Sequence, residues 1–191
     1  MTKDDWFQCN DAAIMIQYLW TREPFHSIAE KFKNYPNSED FTDYQNITLP
    51  LYKYYLACCR EIWLLLPQEE SKKGIRLAEQ YIDGRVSWDK ISEYNWDVEA
   101  AAFTFEYDSE PEKIKTWVKE AESFSGELIS KILNNDDNKK KIDTRSLLMD
   151  AAYFADYAMI YPSIQPMGLP SSSYHKFLFH DLLREYVEYP L

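Results

Sequence analysis

The segment LPLYKYYLACCREIWLLL, residues 49–66, is the most apolar stretch of the chain and limits the folds open to it. On a helical wheel its charged residues, Lys53, Arg60 and Glu61, lie on one narrow strip, and apolar or aromatic side chains occupy most of the remaining circumference. A helix that is apolar on nearly all sides is buried. Three charges in so short a run argue against a membrane span, which needs about 20 mostly apolar residues. The segment therefore predicts a central core helix.

Amphipathic helices are predicted on both sides of this segment, because apolar residues recur there at steps of three and four. The predicted helices cover about 11–20, 24–35, 68–83, 87–105, 109–132, 143–161 and 171–187. For the central helix, Thr48 is the expected N-cap and Pro67 the expected stop. No stretch shows sustained alternation with a period of two. The fold class is therefore predicted to be all-α, an array or bundle of about seven helices around a buried central helix at about 49–66.

Two polar segments interrupt the helical pattern. Residues 34–47 are acidic and rich in turn-forming residues, which predicts a surface loop. Residues 134–142 begin with NNDDNKKK and predict a mobile loop. A chain of 191 residues buries enough surface to fold as one unit, so residues 1–191 are predicted to be a single helical domain.

The charge balance excludes several classes of partner. Against 32 Asp and Glu there are 21 Lys and Arg, a formal net charge of −11, which disfavours nucleic acid and anionic membranes.

Four glycines leave no Gly-rich phosphate loop. The N-terminal residues MTKDDWFQCND lack the apolar core of a signal peptide, and three cysteines do not form a disulfide framework. A reducing compartment, the cytoplasm, is expected.

The sequence predicts no catalytic, cofactor-binding or metal-ligating residue, and therefore no cofactor. His175 and His180 are five residues apart, whereas paired metal ligands on a helix are usually three or four apart. Cys58 and Cys59 are adjacent within the apolar segment, which favours core packing over a reactive thiol. The serines lie in caps and loops, where capping explains them. The pattern favours a non-enzymatic protein.

Arg60 is the residue that a purely structural core helix does not need. A buried guanidinium requires a carboxylate partner, and Asp11, Glu79 and Asp83 are the candidates. Two interpretations stay open at this point. The four residues form either a structural ion-pair network that sets helix register or the lining of an anion-binding pocket.

Tyrosine is abundant, with 15 residues in the chain. The tyrosines in excess of those needed for a small core are Tyr44, Tyr52, Tyr107, Tyr153, Tyr157, Tyr161, Tyr186 and Tyr189. They either cover the ends of the helical core or belong to a protein interface, where aromatic residues are enriched. The first hypothesis is thus an acidic helical interaction protein, of immunity, antitoxin-like or regulatory type, with a basic protein partner or a homodimer. The alternative is a small-molecule-binding or enzymatic helical domain with an internal pocket near Arg60.

Four short motifs carry a resemblance to a known group. They are WFQCND at 6–11, ACCREIWLL at 57–65, AEQYIDG at 78–84 and LLRE at 182–185. Together they resemble the W-x-x-C-x-D, ACCR-x-IW-x-LL, AE-x-Y-x-DG and LLRD motifs of small helical bacterial proteins of planctomycete type. The resemblance implies a helical fold and no activity, since none is assigned to that group. Relative to its shorter members, residues 25–47 are interpreted as an insertion that contains the predicted loop at 34–47.

Overall fold

The computed structural model describes residues 1–32, 38–107, 111–124, 126–134, 143–161 and 170–190, and within them every regular element is a helix. The α-helices are α1 (Lys3–Gln8), α2 (Ala12–Trp20), α3 (Phe25–Phe32), α4 (Ser38–Glu61), α5 (Glu69–Ile82), α6 (Trp88–Glu106), α7 (Pro111–Phe124), α8 (Gly126–Asn134), α9 (Thr144–Ile160) and α10 (His180–Tyr186). Within the described ranges, 3₁₀ helices span Trp63–Leu65 and Ser172–Phe177. The all-α prediction is confirmed. The segment predicted as one helix over 109–132 is divided into α7 and α8.

The central helix α4 begins and ends earlier than predicted, since it spans Ser38–Glu61 instead of about 49–66 and a 3₁₀ helix at Trp63–Leu65 precedes Pro67. Residues 38–47 are helical, which corrects the predicted loop over 34–47, and residues 33–37 lie outside the described residues. Thr48 is not an N-cap, because its hydroxyl donates to the Tyr44 carbonyl oxygen at 2.8 Å within the helix. Tyr44 is buried and forms a small apolar cluster with Ile28 of α3. This contact supplies the apolar burial that a polar segment needs to be helical.

The buried centre of the molecule is shared between α4 and α9. Most of the predicted central segment is buried except for its charged strip, and α9 packs against α4, α5, α6 and α7. Small residues of α9 allow these close approaches. They are Ala151, Ala152, Ala155 and Ala158, all fully buried. At the junction of α5, α6 and α9, Gly74 leaves no room for a methyl group, since an added Cβ would lie 2.6 Å from Val98 Cγ2 and 2.7 Å from Met159 Sδ.

Two cations anchor the C-terminal segment to the rest of the fold. Lys176 Nζ lies 2.5 Å from Asp150 Oδ2, and the two side chains are only 9% and 17% exposed. Arg184 donates from Nη2 to the carbonyl oxygens of Trp6 and Cys9, the first at 3.2 Å. The Lys176 pair joins the Ser172–Phe177 3₁₀ helix to α9, and the Arg184 hydrogen bonds join α10 to the C-terminal end of α1.

Several predictions fall at the edge of the described chain. Asn134 is the last residue of α8, and the rest of the predicted mobile loop at 134–142 lies outside the described residues. The single domain over residues 1–191 stays a prediction. A membrane-spanning helix is not found among the described residues, since none of their helices is both long and apolar enough.

Candidate functional site

Arg60 lies on the surface of the molecule, so the prediction that its guanidinium is buried is wrong. Its side chain is 43% exposed because the charged strip of α4 faces solvent beside α5. Nε donates to Glu79 Oε1 at 2.7 Å, and Nη2 donates to Glu79 Oε2. The guanidinium carbon lies 4.2 Å from the centre of the Trp63 ring. The hydrogen bonds to Glu79 raise the pKa of Arg60, which stays charged.

The other two predicted partners of Arg60 have different contacts. Asp83 is the C-cap residue of α5, and its carboxylate lies 2.5 Å from Arg85 in an exposed ion pair. Asp11 is the N-cap of α2, where Oδ1 accepts from the Ile14 amide at 3.1 Å. Of the predicted four-residue set, the structure therefore joins Arg60 to Glu79, and Asp11 serves as a helix cap.

A groove of about 400 Å³ lies beside the Arg60–Glu79 pair, between α4, α5 and α10. Its lining consists of Lys53, Leu56, Ala57, Arg60, Glu61, Glu79, Ile82, Asp83, Leu182 and Tyr186. The charged lining residues come from α4 and from the C-terminal end of α5. Leu182 and Tyr186 of α10 belong to the apolar part of the lining. This volume is within the range of about 300–1,000 Å³ that small-molecule sites occupy. The groove has the size and the mixed lining of a ligand site.

The outward face of α6 carries a second candidate surface. Trp96 is 74% exposed and Tyr107 is 71% exposed, the highest values among the large apolar side chains of the described residues. Ala100 and Phe103 lie between them, at successive steps of four, three and four residues, so the first three share one face of α6 and Tyr107, its C-cap residue, continues that face. The Phe103 ring lies 5.8 Å from both Tyr107 and Tyr153 of α9 in edge-on contacts. Trp96, Ala100, Phe103 and Tyr107 are called the α6 aromatic stripe.

Carboxylates surround the α6 aromatic stripe. By helical geometry, Glu93 and Asp97 flank one side of it, Glu106 flanks the other, and Asp89 extends its line at the N-terminal end. All four are exposed, and they are called the acidic flank. Lys90 is the only basic residue of α6, and it lies 3.1 Å from Glu93. The face is therefore aromatic at its centre and negative at its margins.

The apolar spacing of α6 predicts only its buried face and does not indicate the α6 aromatic stripe. The core side chains Ile91, Val98 and Phe105 are indeed buried. Trp96 lies off that face, and a large aromatic residue off the core face was the signal available in the sequence. The tyrosines in excess of those needed for a small core differ in their exposure. Tyr107 is exposed, but Tyr44, Tyr52 and Tyr161 are buried and belong to the core.

One buried carboxyl lies outside both surfaces. Asp156 of α9 is largely buried, and its Oδ1 has no hydrogen-bond partner among the described residues. Burial raises the pKa of Asp156 to about 7, and the neighbouring charge of Glu99 on α6 contributes in the same direction. A carboxyl in such surroundings is neutral through much of the acidic range.

The cysteines and histidines do not converge on a reactive centre in the described part of the chain. Cys58 and Cys59 are fully buried, and burial raises the pKa of the Cys59 thiol far above its usual value. Described residues include no group of three or more His, Cys, Asp or Glu placed to hold a metal ion. The two exposed surfaces, the groove and the α6 face, are the candidate sites.

Comparison with known proteins adds no relative. No family model, no curated protein and no solved structure matches the chain. The resemblance to planctomycete-type bacterial proteins therefore stays a prediction. Function has to be inferred from the chain's own side chains.

Proposed function

We propose that the protein is a non-enzymatic helical interaction protein that binds a basic partner protein through the α6 aromatic stripe. The observation that carries this proposal is the pair of highly exposed aromatic side chains, Trp96 and Tyr107, on one face of α6 within the acidic flank. An immunity, antitoxin-like or regulatory role is compatible with such a surface.

The physical basis is the free energy available from covering the aromatic side chains. Trp and Tyr are enriched among residues that contribute most to protein binding, because they bury a large apolar area at low entropy cost. Trp96 and Tyr107 have little of this burial within the chain itself. A partner that covers Trp96 and Tyr107 gains the free energy of burying them on association.

The sign of the partner's charge follows from the acidic flank and from the whole chain. The net charge of −11 attracts a positively charged protein and accelerates encounter, and it repels acidic proteins and nucleic acids. Charges at the margin of an interface mainly set its specificity and association rate. The aromatic centre would then supply most of the affinity.

Site-specific photo-crosslinking tests this proposal. A photoreactive phenylalanine analogue replaces Trp96 in the full chain, expressed in cells of the source organism. We expect a covalent adduct with one protein of net positive charge, identified by mass spectrometry. The matched control carries the analogue in place of Leu64, an apolar residue that is 59% exposed outside α6. Adducts that form equally from both positions, or none from position 96, would contradict the proposal.

The groove beside Arg60 supports a second candidate function, binding of a small molecule. Its volume of about 400 Å³ and its mixed apolar and charged lining favour this alternative. If it binds an organic anion, Arg60 is a candidate contact, because Nη1 is not used in the described hydrogen bonds to Glu79.

Replacing Arg60 with Met separates a structural role from a binding role. We expect the free energy of unfolding, measured by urea denaturation, to fall by no more than about 1 kcal/mol, because ion pairs at exposed sites contribute little. Glu79→Gln is the matched control for loss of the ion pair alone. A library of small carboxylic acids is then screened by thermal shift. An acid that stabilises the wild type and Glu79→Gln but not Arg60→Met would support the groove function, and equal responses of all three would remove it.

A further inference from the structure

We infer that the segment recognised by the α6 aromatic stripe is an amphipathic α-helix with basic residues along both edges, supplied by a different protein. This inference rests on the proposed function and specifies the form of its partner. It follows from the spacing of the stripe, from its central alanine and from the position of the acidic flank.

The spacing matches a helix rather than an extended peptide. Steps of four, three and four residues place the stripe in a nearly straight line along α6. Tyr107 is eleven positions after Trp96, which corresponds to about 16 Å, or about three turns of a partner helix. Binding of an extended peptide by strand addition needs a sheet edge, and the described residues include no strand.

Ala100 divides the stripe into two aromatic ends with a shallow centre. It is exposed, and it lies one turn from both Trp96 and Phe103. A small residue between two large ones forms a recess that a Leu, Ile or Met side chain of a facing helix can fill. The partner helix is therefore expected to place a large aliphatic residue opposite Ala100 and smaller ones opposite the rings.

The acidic flank selects the charge of the partner helix and argues against a second copy of this chain. Glu93 is paired with Lys90, but Asp97 on the same side and Glu106 on the other leave both margins of the stripe negative. Lys and Arg at the corresponding edges of a partner helix would complement them. Two copies packed through this face would set acidic margin against acidic margin, and two chains of net charge −11 would repel each other.

Three designed peptides of about 18 residues, long enough to form a helix, test this inference. The first is amphipathic, with Leu at helical spacing and Lys at both edges. The second has Glu in place of each Lys, and the third has the composition of the first in scrambled order. Binding to the full-length chain is measured by fluorescence anisotropy of labelled peptides. We expect the first peptide to bind most tightly, with an affinity that falls as salt concentration rises.

Variants of the chain locate the binding face. Trp96→Ala and Tyr107→Ala are each expected to weaken binding of the first peptide by about tenfold or more. Asp97→Asn should weaken it less and reduce its salt dependence, whereas the control Leu64→Ala should leave it unchanged. Circular dichroism of each variant checks that its helical content equals that of the wild type.

Several outcomes would overturn the inference. They are no binding of the first peptide, equal binding of the scrambled or acidic peptide, and equal affinity for Trp96→Ala and the wild type. A wild-type dimer in analytical ultracentrifugation that Trp96→Ala dissociates would assign the face to a second copy. The proposed function fails separately, in the crosslinking experiment. A basic protein crosslinked at position 96 through a non-helical segment would preserve that function and refute the helical partner.

Discussion

Replacing Lys176 with Met should destabilise the protein by about 3–5 kcal/mol, because the change leaves the carboxylate of Asp150 largely buried without its cation. In the wild type, Lys176 Nζ lies 2.5 Å from Asp150 Oδ2, and the side chains are 9% and 17% exposed. Removing one charge of such a pair costs far more than the pair itself contributes. Urea denaturation at neutral pH, followed by circular dichroism, measures the change.

The double variant Lys176→Met/Asp150→Leu is the control. It removes both charges and replaces them with apolar groups, so it should recover most of the lost stability. The exposed pair Lys115 and Glu112, 2.7 Å apart, gives the matched comparison, and Lys115→Met should cost no more than about 1 kcal/mol. A similar small loss for Lys176→Met would show that Asp150 is solvated once its partner is gone.

The stability of the protein should fall as pH rises from about 4 to about 7, and Asp156 should account for most of that fall. Burial and the charge of Glu99 raise the pKa of Asp156 to about 7 in the folded chain. The pKa of an aspartate in the unfolded chain is about 3.9. Between these values the folded chain holds a proton that the unfolded chain has released, so each rise in pH favours unfolding. The full loss is about 4 kcal/mol above pH 7, at about 1.4 kcal/mol per pKa unit.

The Asp156→Asn variant tests the assignment, because an amide is neutral throughout this range and nearly the same size as the carboxyl. Its free energy of unfolding should change much less between pH 4 and pH 7 than that of the wild type, and it should exceed the wild-type value above pH 7. Asp97→Asn, at an exposed site of α6, is the control and should keep the wild-type pH dependence. Parallel pH profiles for the wild type and Asp156→Asn would refute the assignment.

Much of the helical structure could be predicted from local sequence. The periodic apolar residues of α5, α6 and α9 lie on the buried faces that their spacing indicates, as Ile75, Val98 and Phe154 show. Asp11 and Asp143 cap α2 and α9, where their side chains accept from backbone amides three residues on. Such features depend on residues within one or two turns of each other, so a short stretch of sequence is enough to predict them.

The start of α4 was predicted wrongly because its cause is not local. The segment before Thr48 is polar and turn-rich, and its helical structure depends on burial of Tyr44 against Ile28 of another helix. Propensity is a weak influence that such tertiary contacts override. The same holds for Arg60, whose exposure depends on which side of α4 the neighbouring helices leave uncovered.

The sequence by itself determined the fold class, the acidic character and the buried faces of most helices, because periodicity and composition act through the nearest turns of the chain. Only the tertiary structure decided which charges are buried and which aromatic residues are exposed. Lys176 meets Asp150 across 26 residues, and Arg184 meets the Cys9 carbonyl across 175. Trp96 is exposed because α5 and α9 pack against the other side of α6. Pairing across such distances depends on how the helices pack, which no local pattern specifies.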